Sequence, residues 1–393
     1  MNAVMTQETQ AVTTAYKVDT TQGTRDGRVS SQWFSRPDDQ RFLNLSDLRD
    51  HVAKRSEPAV QTIVDVTDIR VKASMSDSEK MSLEFLGMEV EPTHWSFGQL
   101  ATLAGAPAGY MRKLPSTLAG INLQWGLANL RAENAKMYYT EDQLLAATGV
   151  EYGRVKDIEL VDAVRRIAGN GTGDTNWKIP GMLDWSTSMY NPYVDPTKDT
   201  TTLYASDRDV FMFLVDDTHP IEIGKLKNGD PDLVFRGFYT WNSEVGSKSL
   251  GISTFLLRGV CANRNIWGQT DKHSMSIRHS KHAPTRFIQE VQPALIEYSN
   301  QSTQGIASSI MQAKQTIVAR SDDDRQNFLR KQGFSAKQAT TIINRVLEEE
   351  ETKPESIWDF VNGITAAARN IKHTDDRIDM ERIAGRLMEK VIH

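Results

Sequence analysis

The chain has 393 residues, of which 39% are hydrophobic and 25% are charged, a composition typical of soluble globular proteins with two or three domains. No apolar run approaches the roughly 18 residues that a membrane span needs, and the first residues lack the basic start and apolar core of a signal peptide. A single cysteine, Cys261, rules out an internal disulfide and a cysteine-based zinc framework. We therefore expect a cytoplasmic protein without membrane association.

The charge is unevenly distributed. The whole chain has a net charge of -5, yet residues 233–286 contain eight Lys and Arg against two acids, Glu244 and Asp271, a local net charge of +6. A basic zone in an acidic protein indicates an anionic partner. The alternative, that the fold scatters these cations over several faces, stays open from the sequence.

The N-terminal part of the chain is polar. Residues 1–40 contain few aliphatic side chains and are predicted to form an arm. Trp33 and Phe34 within this arm suggest that it docks onto the same chain or onto a neighbour. A helical period follows over residues 43–55, for which Ser46 is a candidate N-cap.

The next segment mixes strand and helix signals. Alternating β-branched and polar residues predict strands in 61–74 and 80–92. Helices are predicted from Gln99 to Ala104 and from Pro107 to Leu114, with a glycine turn between them. This spacing fits a DNA-reading helix-turn-helix, although any helical hairpin needs a small residue at its crossing, and we favour the ordinary hairpin.

Strand signals become stronger towards the middle of the chain. After a helix through residue 167, the pattern predicts a strand pair or one bent strand over 201–217 and a further strand over 232–246. Residues 251–263 have apolar side chains that fit one face of a buried helix. Short strands are expected in the sequences IWGQ and SMSIRHS that follow.

From about residue 285 the pattern is helical, with Ser321 and Ser335 as N-caps. The predicted fold class is therefore α+β: a central antiparallel sheet with packed helices, followed by an all-helical C-terminal region. The expected division is an arm at 1–40, an α+β core at 41–286 and a helical region at 287–393.

A cluster of acids is the strongest hint of catalysis. Asp207, Asp209, Asp216, Asp217 and His219 lie close in sequence, and several carboxylates with a histidine could hold a divalent cation. Asp is also common in turns, and we favour the turn interpretation. We expect no catalytic residue, no metal and no cofactor, and the chain is more consistent with a binding protein than with an enzyme.

Binding features are denser. In the basic zone, cations alternate with aromatic and amide side chains; cations neutralise phosphates, and aromatic faces stack on unpaired bases. Both His279 and His282 should add affinity below about pH 6.5, where imidazole becomes charged. If the aromatic residues instead form the core of a sheet, they are not available to bases. The predicted nucleic-acid contacts are Arg236, Trp241, Lys248, Arg258, Arg264, Trp267, Arg278, His279, Lys281 and Arg286.

Several motifs resemble a known family. The segments FRGFYTWNSEVG, FLLRGVCANRNIWG and IRH resemble an uncharacterised family of phage- and plasmid-borne proteins, carried as a domain of unknown function. QLATLAGAPAGYMRKLP and SIWDFVNGITAAAR are similar to the same family. The resemblance implies a mobile-element setting and carries no established reaction.

In such a setting we predict a non-catalytic protein that binds or anneals single-stranded DNA in recombination or replication, as a homo-oligomer. Ring-forming annealing proteins build an antiparallel sheet against helices and line a basic groove, which is compatible with the order of elements here by analogy of fold. Two alternatives stay open. One is a protein-binding inhibitor of host defence or restriction that uses an acidic face. The other is a virion or assembly protein whose arm lies across a neighbouring subunit.

Overall fold

A computed structural model describes residues 36–74, 77–78, 80–129, 133–179, 196–198, 201–216, 218–225, 229, 231–258, 266–268, 275–368, 380 and 383–388. For residues 255, 257, 258 and 266–268 it describes the backbone.

The secondary structure alternates between strands and helices until residue 283 and is mainly helical afterwards. The strands are β1 (Arg41–Phe42), β2 (Val60–Asp65), β3 (Arg70–Ala73), β4 (Met81–Phe85), β5 (Met88–Pro92), β6 (Asn134–Tyr139), β7 (Gln143–Thr148), β8 (Trp177–Lys178), β9 (Leu203–Ala205), β10 (Val210–Asp216), β11 (Ile221–Lys225), β12 (Pro231–Asn242), β13 (Leu250–Arg258), β14 (Ile266–Gly268) and β15 (Met275–Ile277). The helices are α1 (Leu45–Ser56), α2 (His94–Leu103), α3 (Ala108–Met111), α4 (Ser116–Asn129), α5 (Asp157–Ala168), α6 (Ala283–Arg286), α7 (Gln292–Asn300), α8 (Gln304–Gln315), α9 (Asp322–Lys331), α10 (Ala336–Glu350) and α11 (Ile357–Ala368). A π-helical stretch, Phe287–Val291, joins α6 to α7.

Nine strands form the main sheet. Its order is β1-β9-β10-β12-β13-β14, with β8 beside β10, β11 beside β12 and β15 beside β13. Every pairing in it is antiparallel. The first hydrophobic core packs α1, α5 and α7 against β10 through side chains such as Leu48, Val161, Met212 and Leu295. Strand β10 is buried along its whole length, which explains its nearly continuous apolar sequence.

Six strands form a second sheet in the order β2-β6-β7-β5-β4-β3. The pairing of β5 with β7 is parallel, and the other pairings are antiparallel. Helices α2 and α4 cover one face of it, with Leu100, Leu123 and Met137 in a shared core. The predicted central sheet is therefore accompanied by a smaller mixed sheet, for which β6 and β7 were not predicted.

The C-terminal helices form a further core against the main sheet. Helices α8, α10 and α11 pack with β11 and β12 through side chains such as Ile223, Ile310, Ile342 and Phe360. The α+β class and the helical C-terminal region are thus confirmed, while the proposed boundaries at residues 40 and 286 stay predictions. Among the described residues, no helix combines the length and apolar character needed to cross a membrane.

The helix starts follow the capping rules, with one exception. The Ser321 and Ser335 side chains accept hydrogen bonds from the backbone N–H groups three residues later, as predicted. For α1 the prediction is wrong by two residues: Asn44, not Ser46, is the N-cap and accepts from the N–H of Asp47.

The prediction of a buried helix over residues 251–263 is wrong. Residues 250–258 form strand β13, which pairs with β12 on one side and with β14 and β15 on the other. A strand inside a sheet whose two faces are covered has a continuous apolar run, and periodicity alone cannot distinguish such a run from a buried helix. This correction decides where the basic zone lies, because β13 becomes its structural support.

Candidate nucleic-acid interface

The described part of the basic zone collects along one border of the main sheet. Strands β14 and β15 both pair with β13, with Trp267 opposite Leu256 and Ser276 opposite Gly251. We call residues 248–258, together with β14 and β15, the β13 edge. Candidates Arg258 and Trp267 belong to it by their backbone positions, whereas Arg264 lies outside the described residues.

Three further candidates flank the β13 edge with side chains that reach solvent. Arg278 and Lys281 are exposed, and Lys248 is half-buried. The Lys281 ammonium lies 3.5 Å from a carboxylate oxygen of Glu151, a pair whose two side chains are both largely exposed, so its charge is only weakly compensated. The Oγ atoms of Ser249 and Ser276 lie 3.0 Å apart, which places Lys248 and Arg278 beside the same strand pair.

The basic stretch, residues 276–286, is anchored to the loop before α5. Tyr152 and Ser280 form a β-bridge, and the backbone N–H of Gly153 donates to the carbonyl of His279. A Cβ atom at Gly153 would overlap the Ser280 carbonyl oxygen, so a glycine permits this close approach. The anchor presents Arg278 and Lys281 on a fixed backbone.

His279 belongs to that anchor, and its prediction as a nucleic-acid contact is wrong. The side chain is buried, with Nδ1 3.1 Å from the Gly153 carbonyl oxygen and the ring stacked on Tyr152 at 5.0 Å between centroids. Burial lowers the pKa of His279 from 6.5 to about 4, because desolvation disfavours the charged imidazolium. The predicted gain in affinity at mildly acid pH cannot come from this residue; His282, by contrast, is exposed.

Arg236 is also wrongly predicted as a phosphate contact. It is buried, and its guanidinium donates to the Asp216 carboxylate over 2.8 Å and to the Tyr298 carbonyl over 3.0 Å. The guanidinium carbon lies 5.2 Å from the centre of the Trp177 ring. A buried cation requires such partners, and its role is to connect β12 to α7.

Trp241 is wrongly predicted as a stacking platform. Its indole is buried against the backbone of Gly251, where a Cβ atom would overlap the ring, and it stacks on Tyr239 at 5.6 Å between centroids. Arg286 is half-exposed, but its guanidinium makes two hydrogen bonds of 2.7 Å to the carboxylate of Glu290. We therefore remove Trp241 and Arg286 from the interface.

The acidic cluster is structural where it is described. Asp209 is buried and accepts from Arg36 over 2.6 Å. It lies in the turn between β9 and β10 rather than on a strand with Asp207. The Asp216 carboxylate caps the turn before His219, as the turn interpretation predicted, and pairs with Arg236; Asp217 is outside the described residues. Within the described ranges, no group of three His, Cys, Asp or Glu side chains is placed to hold a metal ion.

The TWNSEVG motif forms a buried ionic network that sequence reasoning missed. The Glu244 carboxylate accepts from Arg55 Nε over 2.7 Å, from Ser56 Oγ over 2.6 Å and from the Asp157 backbone N–H over 2.9 Å. The Asp157 carboxylate accepts from Arg55 Nη2 over 2.7 Å and from Asn242 Nδ2 over 2.8 Å. Burial, and then the nearby Glu244, raise the pKa of Asp157 well above its usual value.

A second arginine extends this network to the other sheet. Arg154 donates to the Glu244 carbonyl oxygen and, over 3.1 Å, to Gln61 Oε1 on β2, and its guanidinium lies 4.1 Å from the centre of the Tyr138 ring on β6. Burial lowers the pKa of Arg154. The network thus fastens the second sheet to the end of β12. The available sequence signal was a glutamate among apolar strand residues, where a charge needs a partner.

A cavity of about 730 Å³ lies between β11 and the C-terminal helices. Its lining contains four Lys or Arg and four Asp or Glu side chains. Arg325, for example, donates to the Pro354 carbonyl over 2.8 Å and to Glu355 over 3.1 Å. Balanced charge disfavours a polyanion, so this cavity competes poorly with the β13 edge as a nucleic-acid site.

Comparison with known proteins identifies one region of similarity. Residues 197–385 match the family model described as Domain of unknown function (DUF932). The match covers just under half of the chain and includes the main-sheet strands from β9 onwards, the β13 edge and the C-terminal helices. It supports the predicted relationship to an uncharacterised domain family. No curated protein and no solved structure matches the chain.

Proposed function

We propose that the protein binds single-stranded nucleic acid along the β13 edge and acts without catalysis in the DNA metabolism of a phage or other mobile element, in the cytoplasm of the host cell. The observation that carries the proposal is the anchored basic stretch, which holds exposed Arg278 and Lys281 beside the sheet border. The mobile-element setting rests on the family resemblance.

Electrostatics favours this edge. Residues 233–286 have a net charge of +6, and two members of that count, Arg236 and Glu244, are paired inside the protein. Their removal takes away one charge of each sign, so the local excess of positive charge is unchanged. Cations that reach solvent bind phosphates through the release of counterions, with little dependence on sequence.

A preference for single strands requires stacking. With Trp241 buried, Trp267 on the border strand β14 is the aromatic candidate that remains at this edge, and base stacking contributes about 1–3 kcal/mol per base. The revised contact set is Lys248, Arg258, Arg264, Trp267, Arg278 and Lys281.

The test is the fluorescence anisotropy of labelled single-stranded and duplex DNA against the purified full chain over a salt series. Substituting both Arg278→Ala and Lys281→Ala should weaken binding and reduce the slope of log K against log salt by roughly 1.5–2. The matched control is Lys331→Ala with Lys337→Ala, which removes two exposed cations from the C-terminal helices.

Tight, salt-sensitive binding that favours single strands and depends on the first pair supports the proposal. Equal loss in both double variants would show that general charge, not the β13 edge, is responsible. No binding at low salt would overturn nucleic-acid binding altogether.

A further inference from the structure

Helix α4 differs from an ordinary surface helix. Its 14 residues, STLAGINLQWGLAN, contain no Asp, Glu, Lys or Arg. One face is buried in the core of the second sheet through Ala119, Leu123 and Leu127. Gly126 packs so closely on the Ala104 backbone that a Cβ atom would overlap it. A surface helix is expected to have charged or polar residues on its opposite face.

The opposite face of α4 is apolar and faces solvent. Leu118 is 50% exposed, Ile121 67% and Trp125 63%. Half-buried Leu114 precedes them, and exposed Ala128 follows. The five positions are separated by four, three, four and three residues, which is the heptad spacing of a helix–helix seam. We call these five residues the α4 seam.

The extent of the α4 seam argues for a partner. Three large side chains with half to two-thirds of their surface exposed present roughly 300–400 Å² of apolar area, similar to the largest patch on a typical monomer, which is often functional. Scattered exposed apolar residues need no explanation, but a continuous stripe on an uncharged helix does.

We propose that the α4 seam binds the α4 seam of a second copy of the chain, with the two helices antiparallel about a two-fold axis. The heptad spacing specifies another helix as the partner. Because the helix has no charge, it meets its own copy without repulsion, and a two-fold contact requires such self-complementarity.

Charge at the end of the helix selects the antiparallel arrangement. Exposed Lys113 lies just before α4. In a parallel pair the two copies of Lys113 would face each other. In an antiparallel pair each approaches the C-terminal carbonyl groups of the other helix, where the helix dipole is negative.

The area also sets the expected strength. Two copies of the three side chains bury on the order of 700 Å², below the roughly 1,200–2,000 Å² of a stable interface. We therefore expect a dimer whose population rises with protein concentration. This proposal does not depend on nucleic-acid binding and is tested in its absence.

The experiment is sedimentation velocity of the full chain over a concentration series. The wild type should shift from monomer towards dimer, and Ile121→Asp, at the centre of the α4 seam, should remain monomeric at every concentration. Ile288→Asp is the matched control, since Ile288 is 62% exposed on a different helical segment, and it should dimerise like the wild type. Far-UV circular dichroism of each variant verifies the fold, and Leu118→Lys provides a second disruption of the seam.

A mixing experiment tests self-pairing directly. Ile121 is central, so in an in-register pair it faces its own copy, and a mixture of Ile121→Asp with Ile121→Lys should recover the dimer that neither variant forms alone. A wild type that is monomeric throughout, as expected if the N-terminal arm covers the seam, would overturn the proposal. A dimer that persists in both Ile121→Asp and Leu118→Lys would also overturn it.

Discussion

Replacing His279 by phenylalanine should make the anchor of the basic stretch less sensitive to acid. The imidazole is buried between the Gly153 carbonyl and the Tyr152 ring, and its Nε2 atom has no hydrogen-bond partner among the described residues. Phenylalanine keeps a flat ring for stacking and cannot be protonated. It leaves the Gly153 carbonyl without its side-chain donor, at a cost of about 1 kcal/mol that does not depend on pH.

The magnitude follows from the lowered pKa. In the unfolded chain His279 titrates near its ordinary value of 6.5, and in the folded protein near 4. Between these values the unfolded state binds more protons, so the free energy of unfolding falls as the pH decreases through this window. From about pH 7.5 to about pH 5 the loss from this one residue is roughly 2 kcal/mol.

Urea unfolding of the wild type and of His279→Phe at these two pH values measures the effect. The wild type should lose about 2 kcal/mol more than the variant on acidification, because other titrating groups are common to both. His282→Gln, three residues away and exposed, is the control and should follow the wild type. An identical pH dependence in the wild type and His279→Phe would refute the conclusion that burial keeps this histidine neutral.

Two further substitutions test the structural parts of the site. Gly153→Ala places a Cβ atom against the Ser280 carbonyl and should destabilise the protein by roughly 1–3 kcal/mol, measured by urea unfolding. Gly149→Ala, which has open space, should have little effect, and equal losses would contradict the close approach. Glu244→Gln replaces an acceptor that pairs with Arg55 by an amide with one donor facing other donors, and should cost about 3 kcal/mol. It should also lower the pKa of Asp157 and so flatten the decrease in stability that Asp157 causes as the pH rises above 4; an unchanged thermal midpoint and pH profile would refute the network.

The sequence predicted local structure where local chemistry is sufficient. Serine followed by a helical period gave the starts of α9 and α10, and the helix found over α5 was expected from its pattern. Alternation or long apolar runs indicated β10 and β12. For β13 the same apolar signal was ambiguous, because a strand buried on both faces and a buried helix both lack polar positions.

The candidate site was predictable in composition and not in geometry. The excess of cations in residues 233–286 and the exposure of Arg278 and Lys281 agree with the sequence argument. The fates of Arg236, Trp241 and His279 do not, since each is buried by a segment that is distant in the chain or on a neighbouring strand.

The sequence by itself therefore determined the α+β class, the helical C-terminal region and the location of the basic zone, because these depend on residue type and short-range period. Tertiary structure alone decided which cations remain in solvent. Arg236 finds Asp216 twenty residues earlier and the Tyr298 carbonyl 62 residues later, and His279 finds Gly153, 126 residues earlier. A charge is available to a ligand when the fold supplies no buried partner for it, and that partner is chosen by chain topology, which local sequence does not encode.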